Sequence, residues 1–165
     1  MILIILRGPA GSGKSEVCCE LRKKIEREKS IKSYFFNLDE ICHEKFENYV
    51  KEALKSKYVI GEMFSGNGHT SNPKPWINKF TDKDYKIFSF ILKVSLDTCL
   101  QRCRSDKKNK RDSVYQNGDQ LNKDYYKFYN YPEFGNFANN AIIIEETIDS
   151  ETKSIQEVVS IISSK

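Results

Sequence analysis

Residues 8 to 15 read Gly-Pro-Ala-Gly-Ser-Gly-Lys-Ser, a glycine followed after four residues by Gly13-Lys14-Ser15. That spacing suits a loop that wraps a phosphate. Small residues let consecutive backbone N–H groups converge on one anion, and a helix beginning at the lysine aims its positive end at the same place. Gly8, Pro9, Ala10, Gly11, Ser12, Gly13, Lys14 and Ser15 are therefore the candidate contacts to a nucleotide. Lys14 would reach the β- and γ-phosphates, and Ser15 would offer a hydroxyl to Mg²⁺ bridging them. Chance would place the pattern in about 1 in 200 chains of this length. The competing explanation is a plain glycine turn, which calls for neither the lysine nor the serine.

Such a loop works only if a buried strand delivers it and a helix receives it. Ile2-Leu3-Ile4-Ile5-Leu6 is a continuous apolar run ending just before it, as expected for a strand buried on both faces. Tyr34–Phe36, Tyr58–Ile60, Ile87–Val94 and Ala141–Ile144 extend the series to five strands. Between them the period turns helical, with Val17, Leu21 and Ile25 on one stripe and Phe46, Tyr49, Val50 and Ala53 on another. A last stripe, Ile155, Val158, Val159 and Ile162, follows a Ser154–Glu157 capping-box spacing. Alternating strands and helices specify an α/β domain with helices on both faces of a mainly parallel sheet. No repeat, low-complexity tract or Gly/Pro-rich linker interrupts the chain, so residues 1–165 are expected to form a single domain.

Composition narrows the function classes. Lys and Arg number 27 against 23 Asp and Glu, a formal charge of +4 with 30% charged residues. Neither disorder nor a strongly basic nucleic-acid coat fits those values. The longest apolar run, Met1 to Leu6, is far short of the roughly 20 residues that span a bilayer and lacks a signal-cleavage pattern, so no membrane association and a cytoplasmic location are expected. No obligate protein partner is evident. The five cysteines, at 18, 19, 42, 99 and 103, have no C-x-x-C spacing, and no histidine is near Cys99 and Cys103, the two that lie four apart; they are expected to be free buried thiols rather than a zinc site.

Residues 8 to 15, with the strand before and the helix after, resemble the small P-loop kinases, the group that contains polynucleotide kinases, zeta-type toxins, gluconate and shikimate kinases and nucleotide kinases. The resemblance is specific over the loop and looser elsewhere. It implies a P-loop kinase fold of five strands in the order 2-3-1-4-5, and Mg²⁺-dependent transfer of the γ-phosphoryl group of ATP or another NTP to an acceptor.

Other residues then acquire expected roles. Asp39, in Asn37-Leu38-Asp39-Glu40 after the second strand, matches the place where related kinases carry a carboxylate that takes the acceptor hydroxyl's proton, with Glu40 beside it; otherwise it caps the next helix. No Asp ends the third strand, so Glu62 is the candidate for the acid that assists Mg²⁺ together with Ser15. His69 and Thr70 follow in a glycine-containing loop. Three of the six arginines, Arg102, Arg104 and Arg111, lie in a basic segment after the fourth strand and a short helix. Guanidinium forks bind phosphate oxygens and stay charged, so the segment resembles a short lid, with Arg102 and Arg111 as catalytic candidates and Arg104 as a nucleotide contact.

Seven aromatics crowd residues 125 to 137. Leu121, Tyr125, Phe128 and Tyr129 have the spacing of a buried helix face, while Tyr126 and Tyr131 stand as substrate-contact candidates. The leading acceptor is a polynucleotide 5′-hydroxyl or a nucleoside. A small metabolite, a nucleotide or, as in a toxin, a sugar nucleotide is the alternative. A nucleotide-hydrolysing switch is the distant one, since neither a D-x-x-G nor an N-K-x-D motif is found.

Overall fold

The structure, a computed structural model, describes residues 1–37, 43–63, 74–105, 118–130 and 143–165. In chain order the elements are β1 (Ile2–Arg7), α1 (Lys14–Lys29), β2 (Tyr34–Asn37), α2 (His43–Ala53), β3 (Tyr58–Met63), α3 (Lys74–Thr81), β4 (Lys86–Lys93), α4 (Leu96–Ser105), α5 (Asp119–Tyr129), β5 (Ile143–Asp149) and α6 (Ile155–Ser163).

The five strands form one sheet in the order β2-β3-β1-β4-β5, and every pairing is parallel. β1, apolar from Ile2 to Leu6, lies at the centre, where both faces are covered. On one face Ile4, Leu6, Ile60, Phe88 and Phe90 pack with Val17, Leu21 and Ile25 of α1 and Val158, Val159 and Ile162 of α6. On the other, Leu3, Ile5, Val59 and Met63 meet Val50 and Ala53 of α2 and Ile77 and Phe80 of α3. Each such fully buried aliphatic or aromatic side chain contributes roughly 1.5–3 kcal/mol relative to exposure. A smaller cluster, Val94, Cys99 and Leu121 with Ala10, Leu100 and Tyr125 packed on it, joins α4 and α5 to residues 8–13.

Parallel register sets where the chemistry falls. Leu6 is level with Glu62 and Arg7 with Met63, so the segment leaving β1 and the acid next to the end of β3 share the carboxyl end of the sheet. The expected capping box is present: the Ser154 side chain accepts from the Glu157 N–H, and Glu157 accepts from the Ser154 N–H at 2.7 Å.

Four expectations need correction. β5 does not stop at Ile144; it runs from Ile143 to Asp149, because Glu145 and Glu146 each find a cation, Arg7 and Lys165, that makes them acceptable in an edge strand. Val94 falls just beyond β4, which ends at Lys93. Tyr49 is 40% exposed, which leaves Val50 and Ala53 as the described buried positions of that stripe. Tyr129 is 37% exposed, yet its hydroxyl accepts from the Val94 N–H, and burial pushes its pKa up to about 12. The helix α3, whose Ile77 and Phe80 are wholly buried, has no counterpart among the expected elements.

Candidate active site

The chain leaves β1 at Arg7 and turns through residues 8–13 before entering α1 at Lys14. A Ser12 N–H to Pro9 carbonyl bond of 3.2 Å closes the turn, and the Val17 N–H to Gly13 carbonyl bond of 3.0 Å opens the helix. Gly11 has φ +78° and Gly13 φ +91°, the left-handed region that residues with a Cβ rarely occupy. At Gly11 space forbids a side chain as well, since a Cβ would lie 2.7 Å from the Cys99 carbonyl oxygen of α4. Gly13 is the N-cap of α1 and supplies no side-chain cap, so the first N–H groups of the helix face the loop without an intrahelical acceptor. Together with the helix dipole they favour an anion there.

Lys14 lies back along the loop, largely buried, and its Nζ donates to the Gly8 carbonyl at 2.9 Å and the Pro9 carbonyl at 3.1 Å. Those two bonds hold an ammonium beside the turn. One residue on, Ser15 Oγ donates to Glu62 Oε1 at 2.7 Å. Glu62 is 3% exposed, and its carboxylate, with burial as the larger cause, holds the Cys18 thiol well above the ordinary cysteine range. A hydroxyl and a carboxylate are hard oxygen donors, the kind that suits Mg²⁺, which takes one or two carboxylates and completes its shell with phosphates and water. Among the described residues no group of three His, Cys, Asp or Glu side chains could hold a metal ion.

Of the arginines, Arg102 sits on α4 beside the loop. Its Nη1 donates to the Gly11 carbonyl at 3.4 Å and lies 3.7 Å from where a Cβ on Gly13 would stand. Arg104 turns elsewhere: its Nη2 is 3.6 Å from where a Cβ on Gly118 would be, at the start of α5. Both belong to the last turn of α4 rather than to a segment after it, because α4 continues to Ser105. Asp39, Glu40, His69, Thr70, Arg111 and Tyr131 lie outside the described residues. Tyr126 is 58% exposed on α5, edge-on to Tyr125. Cys42 lies outside the described residues, and the described thiols divide: Cys18 and Cys99 are buried, Cys103 is half-buried and Cys19 is exposed, against the expectation of uniform burial. Burial pushes the Cys99 thiol up to about 12, the direction that disfavours a thiolate.

Two groups near the loop escaped the sequence reading. Ser150, buried just after β5, donates to the Ser12 carbonyl at 3.4 Å and the Lys93 carbonyl at 3.2 Å, which ties the β5 exit to the loop. Arg7 pairs with Glu145 across the sheet at 2.5 Å. Burial lowers the Arg7 pKa from its ordinary value, and Glu145 opposes that shift. The available signal was a cation ending an otherwise apolar strand; its partner, distant in sequence, was not deducible.

No family model and no curated protein matches the chain. Solved structures do. Deoxyadenosine kinase from M. mycoides, with bound dATP, superposes with a TM-score of 0.53 at 15% identity, covering 99% of this chain and 98% of that one. Shikimate kinase from Acinetobacter baumannii, in complex with shikimate, gives a TM-score of 0.50 at 16% identity, covering 99% and 91%. The likeness is one of fold: strand order, parallel sheet and flanking helices are those of the small P-loop kinases.

Proposed function

We propose that the protein is a Mg²⁺-dependent kinase that transfers the γ-phosphoryl group of ATP, or another NTP, to a hydroxyl of a small-molecule acceptor. The observation that carries this reading is the Ser15–Glu62 hydrogen bond of 2.7 Å beside the α1 N-terminus and the Lys14 amine. It joins two hard oxygen donors next to the residues that carry an ammonium and the N–H groups of a helix N-terminus. A nucleoside triphosphate and its metal ion need all three.

In this reading the loop N–H groups and the α1 dipole seat the phosphate chain. Lys14 exchanges its contacts with the Gly8 and Pro9 carbonyls for phosphate oxygens, and Arg102 adds charge from the α4 side. Ser15 and Glu62 would hold Mg²⁺, which when bound offsets the charge of the β- and γ-phosphates. Asp39 is the proposed base for the acceptor hydroxyl, and Arg111 a proposed contact to the phosphoryl group in the closed state.

The acceptor proposed is a nucleoside or a small hydroxylated metabolite. Kinases named for deoxyadenosine and shikimate share the fold. The formal charge of +4 also argues against extended contact with a phosphate backbone, since each neutralised phosphate needs a basic group. The test is transfer of labelled γ-phosphate from Mg·ATP to a panel of nucleosides, nucleotides, hydroxylated acids, sugars and 5′-hydroxyl oligonucleotides. Label should appear on a small-molecule hydroxyl. Label on oligonucleotide ends alone would replace the proposed acceptor class, and release of inorganic phosphate with every acceptor would overturn the kinase reading.

A further inference from the structure

Arg7 is the last residue of β1, and the next two residues carry the carbonyls that hold Lys14 Nζ. By strand alternation its side chain lies on the face of Leu3 and Ile5, away from α1. There Arg7 Nη1 reaches over β4 to Glu145 Oε2 of β5 at 2.5 Å, and Ser89 of β4 donates its hydroxyl to the same oxygen at 2.9 Å. Phe128 of α5 covers the guanidinium, with its ring centroid 6.0 Å from Cζ. The Arg7 and Glu145 side chains are 3% and 21% exposed, the most buried ion pair among the described residues.

Stability alone does not account for this arrangement. Removing two charges from water costs about as much as their attraction returns, and an apolar pair of similar volume is often as stable or more so. The network does something an apolar pair does not. It ties three adjacent strands to one point through directional bonds, and that point is the residue from which the phosphate loop departs.

We propose that Arg7 and Glu145 are positioning residues for nucleotide binding, with Ser89 orienting Glu145. By fixing the end of β1 they hold the start of the loop at Gly8 and Pro9, from whose carbonyls the Lys14 amine is handed to the phosphate chain, in register. This rests on the nucleotide reading above. Arginine is needed because its planar fork is rigid and directional where a lysine ammonium is a point charge on a flexible stem.

The test is Mg·ATP binding by calorimetry together with thermal unfolding. Arg7→Met/Glu145→Met should melt at or above the parent temperature. It should nevertheless bind Mg·ATP at least about tenfold more weakly, since a displacement of about 1 Å costs up to about 10²-fold in such sites. Arg7→Lys should recover only part of the loss. Ser89→Ala, which deletes a single hydroxyl, should weaken binding about threefold, and it decides the matter if the double variant does not fold. Folded variants that bind Mg·ATP as the parent does would overturn the positioning role and leave the nucleotide reading intact. A parent protein that binds no Mg·ATP would overturn both.

Discussion

Ser15 and Glu62, 47 residues apart in the chain, share a hydrogen bond of 2.7 Å across the boundary between α1 and the end of β3. The parallel register of β1 and β3 brings them together, setting Leu6 level with Glu62 so that a helix starting eight residues after Leu6 opens over the β3 carboxylate. That juxtaposition gives the site its oxygen donors.

Glu62→Gln keeps an acceptor for the Ser15 hydroxyl and removes the charge. It should leave the melting temperature near the parent value while raising the Mg²⁺ concentration needed for half-maximal turnover by about 10 to 100-fold, the usual scale for removing a metal-site partner. A magnesium titration of initial rate measures this. An unchanged midpoint would remove Glu62 from the metal site.

The two left-handed glycines of the loop should respond unequally to alanine. At Gly13 a Cβ would meet only ordinary van der Waals contact, its nearest neighbour 3.6 Å away, so Gly13→Ala carries only the backbone strain of about 1–2 kcal/mol. At Gly11 the same strain is joined by the approach to the Cys99 carbonyl at 2.7 Å, and the loss should be clearly larger. Urea unfolding of the two variants compares them directly; equal losses would mean that α4 yields without cost.

Acid should loosen the fold through specific exposed carboxylates. Glu151 is held below the ordinary glutamate value of 4.5 by hydrogen bonds from Ser95 and Thr98, Glu157 by those from Ser154, and Asp149 below 3.8 by those from Glu151 and Thr152. Each folded-state pKa is depressed, so the unfolded chain binds protons first as pH falls. The stabilisation is therefore present above the ordinary values and is lost as pH drops through the lower folded ones, over a window of about pH 5 to pH 3. Thermal midpoints measured across that window should fall less steeply for Glu151→Gln and Glu157→Gln than for the parent. Slopes identical to the parent's would show that these bonds do not discriminate between the charged and neutral acids.

Arg102 and Arg104, two residues apart, point to different places, the Gly11 carbonyl and the start of α5. Alanine at Arg102 should lower turnover by about tenfold or more, and by more than alanine at Arg104. A contact that strengthens as charge develops acts on kcat rather than on KM. Steady-state kinetics of the two variants decides it; equal losses at both positions would favour a diffuse charge effect.

The parts readable in the sequence are those whose signal is local. β1 announces itself by five consecutive apolar residues, the loop by fixed glycines and Lys14-Ser15, and α6 by an apolar stripe behind Ser154. β5 was misplaced because its Glu145 and Glu146 look like a strand end until Arg7 and Lys165 are known to meet them. Arg7 carries no local signal beyond being a cation at the end of an apolar run, and only its partner 138 residues away shows it to be part of the sheet's polar interior. Arg102 and Arg104 share one basic stretch in the sequence, and only their neighbours in the fold, the Gly11 carbonyl and the start of α5, show where each one points.

The most direct measurement of the central claim is transfer of labelled γ-phosphate from Mg·ATP by the parent protein and by Lys14→Ala, each confirmed to be folded by circular dichroism. The Lys14 amine is placed to meet the phosphate oxygens that gain charge, so its loss should slow transfer by about 10² to 10³-fold without unfolding the protein. A folded Lys14→Ala protein that transfers phosphate at the parent rate would contradict the assignment of residues 8–15 as the phosphate-binding site.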